Sequence, residues 1–166
     1  MSTRTEFRKF VKSFSYAGCG ILHCIRTQRN MRFHIGAAGA VTGLALLCGV
    51  TRYELLALLL TIGGVMALEC VNTAVENAVD LASKGKKSEY AKAAKDCAAG
   101  AVLVFCMAAV GVAVCIFGKR LPMIFDKFAE MPVLIAAAVM YAALWFVWVF
   151  VCFSAENKGS SKEKQK

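Results

Sequence analysis

One stretch of the sequence, residues 69–80, carries acidic and amide side chains at a spacing that suits chemistry. Read as an α-helix, it places Glu69, Asn72, Glu76 and Asp80 on one face, within roughly 80° of one another. Carboxylates and amides are the groups that take up protons and coordinate cations. The stripe is therefore the first candidate for a chemical site.

The stripe follows directly on an uncharged run, Leu55–Leu68. At about 1.5 Å per residue this run covers only about 21 Å of a hydrocarbon core of about 30 Å. We therefore expect Glu69 to lie inside a membrane or at its boundary, where a carboxylate needs a partner and a functional reason. For Asp80, further along, a solvated position is the competing interpretation.

Uncharged runs and composition indicate an integral membrane protein. Hydrophobic residues make up 58% of the 166 residues, and the mean hydropathy is +0.58. Together with the helix that begins near Leu55, the runs 33–51, 97–118 and 133–155 predict four transmembrane helices. Residues 1–118 form the predicted core, residues 119–155 a connector and a further transmembrane helix, and residues 156–166 a disordered polar tail.

The net charge of +9 does not indicate a nucleic-acid-binding protein, because the basic residues flank the apolar runs. They are most frequent in residues 1–32, in residues 81–96 and in the tail. With four crossings these three segments lie on one side, so the positive-inside rule predicts that both termini are in the cytoplasm. The eight cysteines form no CxxC pair, and neither a disulfide framework nor a zinc site is predicted.

The elements that must position the stripe can also be read from the sequence. Phe7, Phe10, Val11 and Phe14 recur at helical spacing among basic residues, which predicts an amphipathic helix on the membrane surface or against the protein's own helices. Residues 36–43 hold three glycines that predict a helix-packing face. Residues 51–54 are predicted to be a turn. Lys95 and Asp96 are expected roughly level with Glu76, where Lys95 forms a salt bridge or holds a phosphate.

Two segments together resemble a known family. The pattern Glu69-x-x-Asn72-Thr73-Ala74-Val75-Glu76-x-x-Val79-Asp80, followed by Ala94-Lys95-Asp96-x-Ala98-Ala99-Gly100, resembles the signature of the small prokaryotic diacylglycerol kinases. Asn30-Met31-Arg32-x-His34 resembles the Gram-positive-type branch, whose members are chiefly undecaprenol kinases. The resemblance covers residues 5–118. It implies an all-α membrane fold with a surface helix and three core transmembrane helices, to which this chain adds a fourth at its C-terminal end.

The resemblance also implies an activity and an assembly. Members of the family are homotrimers with active sites shared between neighbouring protomers, and they transfer the γ-phosphate of MgATP to a lipid hydroxyl at the cytoplasmic interface. Phosphoryl transfer needs charge neutralisation, positioning and a base, and the acidic stripe can supply them without a phosphate-binding loop. Undecaprenol is the implied lipid. The alternatives are a diacylglycerol kinase and a degenerate, non-catalytic membrane scaffold, with a channel or transporter as a more distant one.

Roles for individual residues follow from the resemblance alone. Glu69 is the implied general base, and Asn72 positions the groups around it. Mg²⁺ is implied at Glu76 and at Gln28, where the family usually has Glu; a neutral oxygen at position 28 predicts weaker Mg²⁺ binding. Asp80 and Arg32 are implied to support the site. The implied ATP-binding residues are Lys9, Tyr16, Glu76, Lys86, Lys95 and Asp96.

Overall fold

The structure, a computed structural model, describes residues 3–84, 86 and 88–151, and these residues form helices and short connections without a strand. The helices in chain order are α1 (Thr3–Thr27), α2 (Arg29–Cys48), α3 (Arg52–Ser83), α4 (Glu89–Phe117), α5 (Leu121–Glu130) and α6 (Pro132–Phe146). A 3₁₀ turn at Gly118–Arg120 joins α4 to α5, and α6 ends in a π-helical turn at Val147–Val151.

Four helical stretches of the described chain are long and apolar enough to cross a membrane, as the sequence predicts. They are Arg29–Cys48, Arg52–Ser83, Glu89–Glu130 and Pro132–Phe150. The hairpin of α3 and α4 forms the most extensive helix contact, and α2 packs against α3. Large apolar side chains such as Leu60 and Val114 are exposed, whereas Glu69 and Asn72 are buried. This inverted distribution suits a protein whose outer surface meets lipid.

The connection between α2 and α3 is shorter than predicted. Gly49 adopts the left-handed conformation (φ 59°) that ends α2, and Thr51 caps α3 in a capping box with Glu54. The prediction of a turn at residues 51–54 is wrong for Arg52 and Tyr53, because α3, predicted to begin at about Glu54, begins at Arg52. Local capping by Thr51 starts the helix as soon as Gly49 has reversed the chain.

The α2–α3 connection lies at an apolar end of the bundle, which an ion pair stabilises. Ala45, Leu58, Ile116 and Phe117 form a buried cluster. Arg120 donates to both carboxylate oxygens of Glu54, at 2.8 and 2.9 Å. Beyond it α5 turns back towards α2, where Lys127 donates to the carbonyl of Leu47 at 2.7 Å. These contacts fix the far end of the bundle, opposite to the acidic end of α3.

The glycine face of α2 is confirmed in part. A Cβ added to Gly36 would overlap the indole of Trp145, and one added to Gly39 would overlap the Tyr141 hydroxyl, so α6 packs closely here. The prediction is wrong for Gly43 within the described chain, because a Cβ there would meet open space. Gly36 and Gly39 are therefore the positions at which α6 packs closely against α2.

Gln28 separates α1 from α2. Its backbone is extended (φ −105°, ψ 117°), so one non-helical residue redirects the chain. The apolar side chains of α1 that suit a membrane surface are exposed, as expected of a surface helix. The predicted end of the fourth helix at residues 152–155 and the predicted disordered tail at residues 156–166 lie outside the described residues.

Candidate functional site

The predicted stripe on α3 forms one connected face. The Asn72 amide donates to the Glu76 carboxylate at 3.1 Å, one helical turn further on. Exposure rises along the stripe: Glu69 is 2% exposed and Asn72 6%, while the side chain of Asp80 is 63% exposed. The stripe thus runs from the interior of the bundle to its polar end, and the solvated interpretation holds only for Asp80.

Glu69 has the partner that its depth requires. Nε2 of His34, on α2, lies 3.3 Å from Oε1 of Glu69. Sequence reasoning missed this pairing, although His34 stood in the segment that carries the family resemblance. His34 and Glu69 are on different helices, so no sequence spacing relates them. The sequence therefore contained no signal for this contact.

The residues implied to hold Mg²⁺ are brought together. The Nε2 atom of the Gln28 amide donates to the second oxygen of the Glu76 carboxylate at 3.4 Å, across the junction of α1 and α2. Beside them, the buried Oδ1 atom of Asn72 has no hydrogen-bond partner among the described residues. An acceptor oxygen left unpaired in this way costs about 1–3 kcal/mol unless a further group binds it. Its presence next to Glu76 marks a place for such a group.

This donor set fits Mg²⁺ as a substrate-associated ion. No three His, Cys, Asp or Glu side chains in the described part of the chain are grouped to hold a metal by themselves. Mg²⁺, however, is commonly held by one or two carboxylates together with substrate phosphates and water. Glu76 offers one carboxylate, and the Gln28 side chain offers an amide oxygen in place of a second one.

Arg32 supports the site from behind. The side chain is 3% exposed, and it donates to the backbone carbonyl of Arg26 at 3.1 Å. It therefore ties the start of α2 to the last turn of α1. Because Gln28 lies between these two points, this hydrogen bond helps to fix the corner from which Gln28 reaches Glu76.

Four of the predicted residues meet at the polar end of the α3–α4 hairpin. They line an open cavity of about 520 Å³ and are Asp80, Lys86, Lys95 and Asp96. The Lys95 ammonium lies 2.6 Å from the Asp80 carboxylate. Of the two interpretations of Lys95, the salt bridge is present, and its carboxylate partner is Asp80, one turn nearer the end of α3 than Glu76.

Lys9 and Tyr16 are not brought to this cavity. Lys9 pairs with Glu6 at 2.9 Å, and Tyr16 is 63% exposed with the Lys12 ammonium 5.7 Å from its ring centre. Neither side chain lines the cavity, and both are exposed on the surface of α1. Within one chain, these two predicted nucleotide contacts are separate from the other predicted residues.

An apolar groove begins at Glu69. A crevice of about 310 Å³ is lined by the polar residues Asn30, His34, Glu69 and Asn72 and by apolar residues of α2 and α4. Phe33, His34 and Cys106 also line a second, mainly apolar cavity of about 230 Å³ between α2, α3 and α4. Val41, Val110 and Ala113 connect that cavity to a third one, further along α2 and α4. We call this run of cavities the α2–α4 groove.

Comparison with known proteins gives a family and two relatives. A family model described as prokaryotic diacylglycerol kinase matches residues 15–117, which end where α4 ends. The chain is 44% identical to the undecaprenol kinase of Bacillus subtilis (strain 168) over 118 residues, which are 71% of this chain and 95% of that protein. No solved structure matches the chain significantly.

A second relative covers less of both proteins. The chain is 45% identical to the diacylglycerol kinase of Synechocystis sp. over 104 residues, which are 63% of this chain and 59% of that enzyme. The two relatives are named for different acceptor lipids, undecaprenol and diacylglycerol. The percentage identity to these relatives therefore does not decide which lipid this chain phosphorylates. The family itself is clear, because its model covers most of the chain.

Proposed function

Because the chain belongs to the prokaryotic diacylglycerol kinase family, we propose that it transfers the γ-phosphate of MgATP to the hydroxyl of undecaprenol. The observation that carries this proposal is the position of Glu69. It is a buried carboxylate, held by His34, at the start of an apolar groove. A base at the head of a hydrocarbon-lined groove suits an acceptor that is a hydroxyl on a long apolar chain.

A residue of this chain can accept the proton that the lipid hydroxyl loses. With the lipid chain beside Phe33, its hydroxyl lies in the crevice beside Glu69 and Asn72. Glu69 accepts the hydroxyl proton as the oxygen attacks the γ-phosphorus. The bond from that phosphorus to the bridging oxygen of ADP breaks, and ADP leaves with the bridging electron pair. Asn72 positions the reacting groups through its unpaired Oδ1 atom.

Glu76 and Gln28 are the residues that would hold Mg²⁺ with the nucleotide phosphates. The ion would neutralise charge on the phosphates. Glu76 lies between Glu69 and Asp80 along α3, so a nucleotide anchored at the polar end has its phosphates directed towards the base. The hydrogen bond from Asn72 holds the Glu76 carboxylate on the face of α3 that links the nucleotide end to Glu69.

The cavity at the end of the α3–α4 hairpin is the proposed nucleotide site. It combines Lys86, Lys95 and a third lysine, Lys92, with the start of α4. Ammonium groups and free backbone N–H groups at a helix start both favour phosphate oxygens. Asp96 lies at the same cavity, where its carboxylate accepts hydrogen bonds from the sugar or base. The Lys95–Asp80 pair orients Lys95 before ATP binds.

A homotrimer in the plasma membrane would complete the site. Lys9 and Tyr16 are exposed on α1 and separate from their own chain's cavity, so we assign them to the nucleotide site of a neighbouring protomer. The lysines of the cavity support a cytoplasmic position for the α3–α4 connection, and with it for the start of α2. The guanidinium of Arg29 lies 5.9 Å from the ring centre of Phe150, which supports the same side for the turn that follows α6.

The experiment is transfer of labelled γ-phosphate from MgATP to lipid by purified protein in mixed micelles. Undecaprenol and diacylglycerol are offered separately, and Glu69→Gln serves as the isosteric control. We expect label on undecaprenol that falls by about 10²–10⁴ in the variant, the usual contribution of a general base. Label mainly on diacylglycerol would keep the mechanism and change the acceptor. Label on neither lipid, even at high Mg²⁺, would replace the kinase proposal with a non-catalytic scaffold.

A further inference from the structure

The fourth transmembrane helix packs directly beside the catalytic part of α2. The Tyr141 hydroxyl donates to the backbone carbonyl of Gly36 at 2.6 Å. The absence of a side chain at Gly36 leaves room for the indole of Trp145. Gly36 follows His34 by two residues, so α6 is held close to the segment that carries the partner of Glu69.

An apolar pocket lies between these two helices. It measures about 220 Å³, and its lining residues are Phe33, Ala142, Trp145, Phe146, Val149 and Phe150. The rings of Phe33 and Trp145 lie 5.0 Å apart, and those of Phe146 and Phe150 lie 4.7 Å apart. Val149 and Phe150 belong to the π-helical turn, a rare geometry that is frequent at functional sites. We call this cavity the α2–α6 pocket.

Phe33 connects the pocket to the proposed acceptor site. The same side chain lines the α2–α6 pocket, the crevice of Glu69 and the first apolar cavity of the α2–α4 groove. The pocket therefore opens beside the reacting end of the lipid rather than at an unrelated depth of the membrane. Phe33 is 48% exposed, and it forms part of the wall that the pocket shares with the crevice of Glu69.

We infer that the α2–α6 pocket binds the isoprene units next to the acceptor hydroxyl, so that α6 takes part in the choice of lipid. This inference rests on the proposed kinase function. The pocket is short and bounded by four aromatic rings, which suits methyl-branched, unsaturated units that pack against ring faces. An unbranched acyl chain gains less from such a cavity, because its length fits the longer α2–α4 groove. The family match ends before α6, so the pocket is a feature of the additional helix.

Two neighbouring alanines of α6 allow a matched test. Ala142 lines the pocket, whereas Ala143 does not, and both are exposed positions of the same helix. Ala142→Phe fills the pocket, and Ala143→Phe adds the same ring outside it. The full-length variants are assayed with farnesol, with an unbranched alcohol of equal carbon number and with diacylglycerol. Val149→Ala, which enlarges the pocket, is a second variant in case the larger side chain disturbs folding.

For Ala142→Phe we expect the KM for farnesol to rise by about tenfold, the scale of a lost apolar contact in a pocket. The kcat and the KM for the unbranched alcohol should stay as in the wild type. Ala143→Phe should leave both alcohols unaffected, and Val149→Ala should weaken only the preference for farnesol.

Three results would overturn the inference. Equal effects on both alcohols, or none, would remove the pocket as an acceptor subsite. A selective loss of diacylglycerol phosphorylation would assign the pocket to an acyl chain instead of an isoprenoid. Wild-type protein that phosphorylates no lipid would remove the proposed function and this inference together, whereas an active enzyme with unchanged preference removes the inference alone.

Discussion

Nε2 of His34 lies 3.3 Å from Oε1 of Glu69, and this contact joins α2 to α3 in the interior of the bundle. The Glu69 carboxylate is almost fully buried, so His34 provides a partner that water cannot provide there. The proposed general base thus depends on a second helix for its position. Gln28 directly precedes this second helix, which also carries Phe33 beside the acceptor crevice.

The first prediction concerns His34. We expect His34→Ala to lower kcat for phosphoryl transfer by about 100-fold, because the buried carboxylate loses the group that orients it. His34→Gln, which keeps an N–H donor, should recover most of that loss. The measurement is steady-state transfer to undecaprenol in mixed micelles. His23→Ala is the control, since His23 is the only other histidine and lies exposed on α1. A wild-type kcat for His34→Ala would contradict the role.

The second prediction concerns Gln28. We expect Gln28→Glu to lower the Mg²⁺ concentration for half-maximal activity by about tenfold, because a carboxylate replaces a neutral amide beside Glu76. Activity is titrated with Mg²⁺ at saturating ATP. Thr27→Glu, on the exposed neighbouring position, adds the same charge and should leave the Mg²⁺ dependence unchanged. An unchanged Mg²⁺ dependence in Gln28→Glu would exclude this position from the metal site.

The third prediction separates binding from stability at Lys95. The Lys95–Asp80 pair is partly exposed, so its loss in Lys95→Met should cost less than about 1 kcal/mol of unfolding free energy. The KM for ATP should nevertheless rise by about tenfold or more, since a charge-assisted hydrogen bond to phosphate is lost.

Two further variants complete that test. Lys119→Met removes the same charge at the other end of the bundle and should not change the KM for ATP. Asp80→Asn breaks the pair but keeps the Lys95 ammonium, so its effect on the KM should be smaller than that of Lys95→Met. If the two variants raise the KM equally, Lys95 acts only through its ion pair.

The fourth prediction concerns the docking of α6. Gly36→Ala should destabilise the protein by about 1–3 kcal/mol, because the added methyl group overlaps the Trp145 indole. Gly43→Ala in the same helix meets open space and should be neutral or slightly stabilising. Thermal unfolding in detergent measures both. Restoration of stability in Gly36→Ala/Trp145→Ala would assign the effect to this contact, and equal melting temperatures for the two single variants would refute it.

The sequence predicted the features that depend on one helix at a time. The run lengths predict four membrane-spanning stretches, which the structure has, and the helical period places Glu69, Asn72 and Glu76 on one face. The family resemblance rested on the same local patterns, and the family match confirms it. Glu69 was expected to need a partner because burying a carboxylate is costly wherever the helix packs.

The tertiary structure decided which helices meet and with what offset. It chose His34 as the partner of Glu69, Asp80 rather than Glu76 as the partner of Lys95, and α6 as the element that packs on Gly36. Rotation and axial shift between helices set these contacts, and they depend on side-chain packing along the whole interface. A single sequence contains the period of each helix but not the offset between two of them. That offset places a base, a metal ligand and an apolar groove within one site.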